Sequence, residues 1–156
     1  NEYYPMSSRN AAELLDDQVK RAVKAGATLR TGGELDDTTA YYSPAVLTDL
    51  PVGSDEYYEE FFGPVAEIYK VSSEDEAVAL ANNSRQGLGG AVFSEDTDRA
   101  IKVADQIDTG MIHVNLGQYF SAVLPFGGVK RSGFGRELSV FALDEFVNKQ
   151  YLYVND

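Results

Sequence analysis

A layered α/β fold, with a mostly parallel sheet and flanking helices, is what this 156-residue chain predicts. Segments with apolar residues at helical spacing alternate with short runs rich in Val, Ile and Tyr. Helix caps and glycine breaks fall between them. With 44% apolar residues and no cysteine, the chain is large enough to bury a core without disulfides. It contains no internal repeat, low-complexity stretch or clear linker, so a single unit is expected.

Leu15, Val19, Ala22 and Val23 recur at helical spacing, and Gly26 stands where a left-handed cap would close that helix. Gly32-Gly33 breaks the chain before a strand over residues 41–47, which tolerates Pro44 at an edge or near its start. Residues 65–71 alternate apolar and polar side chains and read as a second strand. Ser73-Glu74-Asp75-Glu76 is a capping box, opening a helix that buries Ala77, Leu80 and Ala81 and ends near Asn82-Asn83. Ala91-Val92-Phe93 is a short strand. The next helix starts at Thr97, presents Ile101, Ala104 and Ile107 on one face, and closes at Thr109-Gly110. Residues 111–115 form another strand. Six glycines or prolines then mark residues 116–136 as a long loop, the kind that usually carries function. A final helix over residues 138–146 leads to a terminal strand at Tyr151-Leu152-Tyr153-Val154.

The net charge of −12 and the scattered Lys and Arg residues argue against nucleic acid as a partner. Asp16-Asp17 and Asp36-Asp37 lack the alternating carboxylates and sharp glycine turn of a hard-cation loop, so they read as solvated surface and no metal is expected. No apolar run approaches a membrane span and no signal-peptide pattern opens the chain; a cytoplasmic protein is the expectation. The start, Asn-Glu-Tyr-Tyr-Pro without methionine, has the look of a piece of something longer.

Two motifs stand out. Glu59-Glu60-Phe61-Phe62-Gly63-Pro64-Val65 could end a surface loop and enter a strand. It could also offer one carboxylate to two neighbouring sugar hydroxyls, because two acceptor oxygens match two donors. In residues 125–137, Gly133-Phe134-Gly135 lacks the third glycine of a dinucleotide fingerprint, and no Gly-Lys-Ser/Thr follows a glycine-rich loop. These glycines fit a tight turn where backbones approach closely. His113, alone in an apolar strand pattern, reads as a packed strand residue rather than a base.

Both motifs resemble signatures of the aldehyde dehydrogenase superfamily: Glu-x-Phe-Gly-Pro at Glu60 to Pro64, and the Pro-Phe-Gly-Gly run from Pro125. Ala81-Asn82-Asn83-Ser84-Arg85-Gln86-Gly87-Leu88 is similar to the family's Ala-Asn-x-x-x-Gly-Leu stretch. Gly110 to Asn115 is similar to its Gly-x-x-x-x-Asn strand. Gly26-Ala27-Thr28-Leu29, Gly32-Gly33 and Tyr42-Ser43-Pro44 match the segment before the first motif. The likeness runs in order along nearly the whole chain.

The resemblance implies the C-terminal half of a catalytic domain over residues 1–148, followed by an oligomerisation strand over residues 149–156. It implies NAD or NADP as cofactor, with Glu60 holding the nicotinamide ribose and Phe62 packing near the nicotinamide ring. Glu59 receives no role. The long loop is implied to be structural. In the family a cysteine thiolate attacks a small aldehyde, hydride passes from the thiohemiacetal to NAD(P)⁺, and water activated by a glutamate releases the acid. Neither that cysteine nor that base is in these 156 residues, so the chain by itself is expected to be inactive. Residues 124–139 and 145–148 resemble most the succinate-semialdehyde dehydrogenase branch. Phe120 departs from it, for it falls where some of those enzymes place a serine for the distal carboxylate. A phenyl ring there suits an apolar or aromatic aldehyde, unless Phe120 and Tyr119 are simply core aromatics. A homo-oligomer through the terminal strand is also implied. The rival reading is a free-standing, non-catalytic binding or assembly module.

Overall fold

The computed structural model describes residues 3–156; Asn1 and Glu2 lie outside the described residues. The chain divides into two compact units, one ending at Lys70 and one running from Val71 to Asp156. The sequence suggested one unit because no change of composition marks this boundary. The strands do mark it, since those before Lys70 pair only with one another and so do those after it.

In the first unit, helix α1 (Arg9–Ala25) starts at Ser8, whose hydroxyl accepts the Ala11 N–H at 3.1 Å. It ends as expected at Gly26, with φ of 126°. The Gly26 N–H reaches the Val23 carbonyl and the Ala27 N–H reaches the Ala22 carbonyl, so the last turn closes as a Schellman motif. Ala12, Leu15, Val19 and Ala22 form its buried stripe. Val23, expected there too, lies at the stripe's edge in the last turn and is exposed.

Strands β1 (Thr28–Thr31), β2 (Ala45–Thr48) and β3 (Val65–Ile68) form one sheet in that order. β1 runs antiparallel to β2, with an irregularity between Leu29 and Thr31, and β2 runs parallel to β3. In β2, Ala45 and Leu47 are buried while Val46 and Thr48 are only half-buried, the alternation of a sheet with one covered face. Leu15, Val19 and Ala22 of α1 share the core with Tyr42, Ala45, Leu47 and Leu50.

In the second unit, α2 (Glu74–Asn82) is capped by Ser73, whose hydroxyl accepts the Glu76 N–H at 3.1 Å. Glu76 reaches back as expected but one residue further, accepting from the N–H and hydroxyl of Ser72, both at 2.7 Å. Ala77 and Leu80 are half-buried and Ala81 is exposed, so this helix covers less than its pattern promised. β4 (Gln86–Gly87) and β5 (Gly89–Val92) follow, then α3 (Thr97–Ala104) capped by Asp96, then β6 (Met111–Val114). β5 and β6 pair in parallel, in register from Gly89 with Met111 to Val92 with Val114. Ala100 and Ala104 are the buried face of α3; Ile101 is exposed, and Ile107 lies beyond the helix end. β7 (Val129–Lys130) lies inside the glycine-rich loop and pairs antiparallel with β4.

The α/β class is as expected, but parallel and antiparallel pairings occur equally among the described strands. Two C-terminal expectations are corrected. The final helix is a 3₁₀ segment, Val140–Phe146, entered through Leu138 and Ser139 at φ of 58° and 55°. That left-handed entry is incompatible with starting an α-helix at residue 138. Residues 147–156 carry no regular secondary structure, because a strand forms only where a neighbour completes its ladder. Among the described residues, no helix is long and apolar enough to cross a membrane, and no cluster of His, Asp or Glu could hold a metal.

Candidate functional site

The segment carrying Glu60 and Phe62 leaves a 3₁₀ turn, Glu56–Tyr58, and is tied to α1. Arg21 donates from its two terminal nitrogens to the two carboxylate oxygens of Glu59, at 3.0 and 2.7 Å. Its Nε donates to Asp17 at 2.9 Å, one turn earlier on the same helix. Gln18 donates to the Glu60 carbonyl at 3.1 Å and, more distantly, to Glu59 at 3.4 Å. Phe61 packs against the first unit's core. Gly63 then passes so close to α1 that a Cβ would sit 2.4 Å from Leu15 Cδ2.

The result is an alternation. Glu59 and Phe61 are anchored, while Glu60 and Phe62 project outward. Phe62 is 80% exposed. Glu60 is exposed and its carboxylate has no hydrogen bond or ion pair among the described residues. The electrostatics differ accordingly. The hydrogen bond from Arg21 holds the Glu59 carboxyl below the ordinary glutamate range, and the same bond raises the Arg21 guanidinium.

A cavity of about 430 Å³ opens here, lined by Leu14, Gln18, Arg21, Glu59, Glu60 and Phe62 among others. Chemically it offers a carboxylate with both oxygens free beside an uncovered aromatic face. That donor set fits two adjacent sugar hydroxyls next to a flat heteroaromatic ring, so these residues suit a nicotinamide riboside.

Phe120 belongs to the second unit. It is 60% exposed, its ring centroid 5.7 Å from that of Phe126. It is therefore not a core aromatic, and neither is Tyr119, which is also exposed. Phe120 lines a cavity of about 320 Å³ with Met111, His113, Gln118 and Tyr119. His113 is half-buried in β6 and faces this cavity, so it is not packed away as its strand pattern suggested. Glu60 and Phe62 thus share a cavity of the first unit, and Phe120 lines a cavity of the second.

The glycine-rich loop is built for close approach. A Cβ at Gly110 would fall 2.0 Å from the Gly127 carbonyl oxygen, and one at Gly127 would fall 2.3 Å from that of Gly135. Arg136 stitches the turn, one terminal nitrogen lying 2.8 to 2.9 Å from the carbonyls of Gly128, Phe134 and Gly135. Two asparagines of the other motifs are also structural. Asn82 donates to the Gln106 carbonyl and accepts from the Asp108 N–H, both at 2.7 Å, joining the end of α2 to the turn after α3. Asn115 ends β6 at φ of 55° and accepts the Ser94 N–H at 2.8 Å. Its tolerance of left-handed backbone was the available signal. Arg21 had no such signal, because nothing in the sequence links it to a glutamate 38 residues away.

Known proteins resemble this chain along nearly its whole length. The model of the aldehyde dehydrogenase family matches residues 1–152. The chain is 54% identical over 147 residues to a succinate-semialdehyde dehydrogenase [NADP(+)] of Deinococcus radiodurans, covering 94% of this chain and 31% of that protein. It is 39% identical over 149 residues to the mitochondrial succinate-semialdehyde dehydrogenase of Mus musculus, covering 95% of this chain and 28% of the other. A crystal structure of succinic semialdehyde dehydrogenase from Streptococcus pyogenes with NADP⁺ superposes with a TM-score of 0.90 at 45% identity, over 97% of this chain and 34% of that one. Betaine aldehyde dehydrogenase from Staphylococcus aureus with NAD⁺ gives 0.86 at 35% identity, over 91% and 29%. The chain spans about a third of the length of these relatives. Matched along almost its whole length by both sequence and backbone, this chain belongs to the aldehyde dehydrogenase family.

Proposed function

We propose that this chain supplies cofactor-side and aldehyde-side walls of an NAD(P)⁺-dependent dehydrogenase that oxidises an aldehyde to a carboxylic acid. The observation that carries the reading is the free Glu60 carboxylate beside the uncovered Phe62 ring, on a segment whose other side chains are anchored. The bound dinucleotide would accept the hydride. Glu60 would hold the two ribose hydroxyls, and Phe62 would lie against the nicotinamide and keep water from that face. The nucleophile must come from outside these residues, since none of the 156 is a cysteine.

Succinate semialdehyde is the first substrate to try, because three of the relatives above are named for it. Phe120 offers no charge or hydrogen bond to a distal carboxylate, so that group would have to be met by other residues. The unpaired C-terminal segment would complete its ladder with another copy of the protein, giving a homo-oligomer.

The test is made on the complete enzyme containing this chain, with dinucleotide binding followed by fluorescence and hydride transfer by single-turnover absorbance. Glu60→Gln should weaken binding or hydride transfer by up to about 1.5–3 kcal/mol, the worth of hydrogen bonds to a charged group. Unchanged values for both would remove Glu60 from the site.

A further inference from the structure

The anchored half of the Glu59–Phe62 segment has a consequence for the free half. We propose that Arg21 and Gln18 are positioning residues for Glu60: through Glu59 and the Glu60 carbonyl they set where the ribose-binding carboxylate stands. This rests on the reading of Glu60 given above.

Glu60 is held directly at its carbonyl by Gln18 and one residue earlier by Arg21. Both holders are on α1, three residues apart, so they share one face of a rigid helix. α1 is itself fixed by Leu15 and Val19 in the core. A planar guanidinium meeting both oxygens of a carboxylate constrains direction as well as distance, which a lysine ammonium cannot do. Asp17 holds the same guanidinium from behind and keeps it from swinging toward solvent. Phe61 pins the next residue to the core. Glu60 therefore sits between two fixed neighbours, its own carbonyl is held, and only its side chain is free.

Pre-positioning matters because the Glu60 carboxylate has no partner among the described residues to orient it. If the segment could slide or twist, ordering it would oppose cofactor binding, and the nicotinamide would be held in a spread of positions. Loss of the Arg21 fork should thus appear in cofactor affinity and hydride transfer, and not in the aldehyde KM.

The experiment uses the complete enzyme and compares Arg21→Gln, Arg21→Lys, Glu60→Gln and the double variant Arg21→Gln/Glu60→Gln. Dinucleotide dissociation constants come from fluorescence titration without substrate, and hydride transfer from single turnovers. Arg21→Gln should weaken dinucleotide binding or slow hydride transfer about tenfold or more, with the aldehyde KM unchanged. Arg21→Lys should recover only part of the loss. If Arg21 acts through Glu60, the double variant should be little worse than Glu60→Gln alone. Should Arg21→Gln fail to fold, Gln18→Met removes the Glu60 carbonyl contact and carries the same comparison. Arg21→Gln that lowers only the melting temperature would overturn the positioning role, as would losses that simply add in the double variant. A silent Glu60→Gln would instead overturn the ribose reading, and the inference with it. An effect of Glu60→Gln without one of Arg21→Gln would overturn the inference alone.

Discussion

Arg21 grips both carboxylate oxygens of Glu59, at 3.0 and 2.7 Å, across 38 residues of sequence. The motif gives Glu59 no role. The structure makes it the anchor of the segment. Its carboxyl is held below the ordinary range chiefly by the Arg21 hydrogen bond. A depressed folded value means that the pair stabilises the protein above the unfolded glutamate pKa of about 4.3 and that this contribution is lost as pH falls through the folded value. Glu59 is about one-third exposed, so solvent screening limits the pair to about 0.5–1 kcal/mol. Glu59→Gln should therefore be less stable than wild type by that amount at neutral pH. In urea denaturation the difference should close as pH drops below 4; a constant difference would assign it to packing instead.

Gly26 closes α1 at φ of 126°, and a Cβ there would lie 3.3 Å from Pro51 Cγ. Alanine at this position combines backbone strain with a tight contact. Gly26→Ala should lower stability by about 1–2 kcal/mol. Gly53, at φ of 90° with nothing within 4 Å of its Cβ position, is the control for strain alone. Thermal melts should rank Gly26→Ala below Gly53→Ala, and the reverse order would mean that the Pro51 contact yields easily.

Tyr42 is 1% exposed, yet its hydroxyl has no hydrogen-bond partner among the described residues. Burial, with a smaller contribution from Asp16, pushes this phenol up to about 12. Removing an unsatisfied hydroxyl leaves the ring's packing and removes a desolvation cost. Tyr42→Phe should be neutral or stabilising by up to about 1 kcal/mol, whereas Tyr42→Ala should cost about 3–5 kcal/mol. The raised value also sets a sign: below pH 10 the phenol is neutral in both states and titration costs nothing, and as pH rises from 10 to about 12 ionisation favours the unfolded chain and wild-type stability falls. Denaturation midpoints of wild type should therefore fall further below those of Tyr42→Phe at high pH, and a gap that stays constant would mean that the phenol titrates alike in both states.

Phe120 tests the aldehyde. In the complete enzyme, Phe120→Ser replaces an exposed ring with a hydrogen-bond donor. The variant should gain kcat/KM on succinate semialdehyde relative to an apolar aldehyde of similar length. A change of about tenfold in that ratio corresponds to one useful hydrogen bond, about 1.4 kcal/mol. An unchanged ratio would place the carboxylate away from Phe120.

Local chemistry was the legible part of this fold. The Ser73 cap and the Gly26 terminus of α1 were readable because cap residues act on neighbours within one turn. Glu60 and Phe62 were readable only through the motif; the physics that leaves them free lies in Arg21 and Gln18, far off in sequence. β4 and β7 were missed because two-residue strands have no period to detect. The helix expected over residues 138–146 failed on backbone sign, since neither Leu138 nor Ser139 advertises a positive φ. The boundary after Lys70 was hidden because it is made by strand pairing, which composition does not report.

The C-terminal segment provides the last prediction. Tyr151, Leu152, Tyr153 and Val154 are all exposed, Tyr151 at 84%, and the rings of Tyr151 and Tyr153 stack with centroids 6.5 Å apart. Consecutive aromatic and aliphatic side chains on backbone without a ladder are a template for strand addition. Exposed Val140, Phe141, Leu143 and Phe146 lie just before it and add apolar area. The opposing force is the net charge of −12, but salt screens it over a Debye length of about 8 Å near physiological ionic strength. Raising salt should thus weaken the repulsion while leaving the apolar attraction intact. The 156-residue chain should self-associate more strongly at high salt, and deletion of residues 150–156 should reduce that association. Sedimentation equilibrium across a salt series measures both. A monodisperse monomer at high salt and high concentration would show that the tail does not recruit a second copy, and equal association with and without the tail would assign the contact to the residues before it.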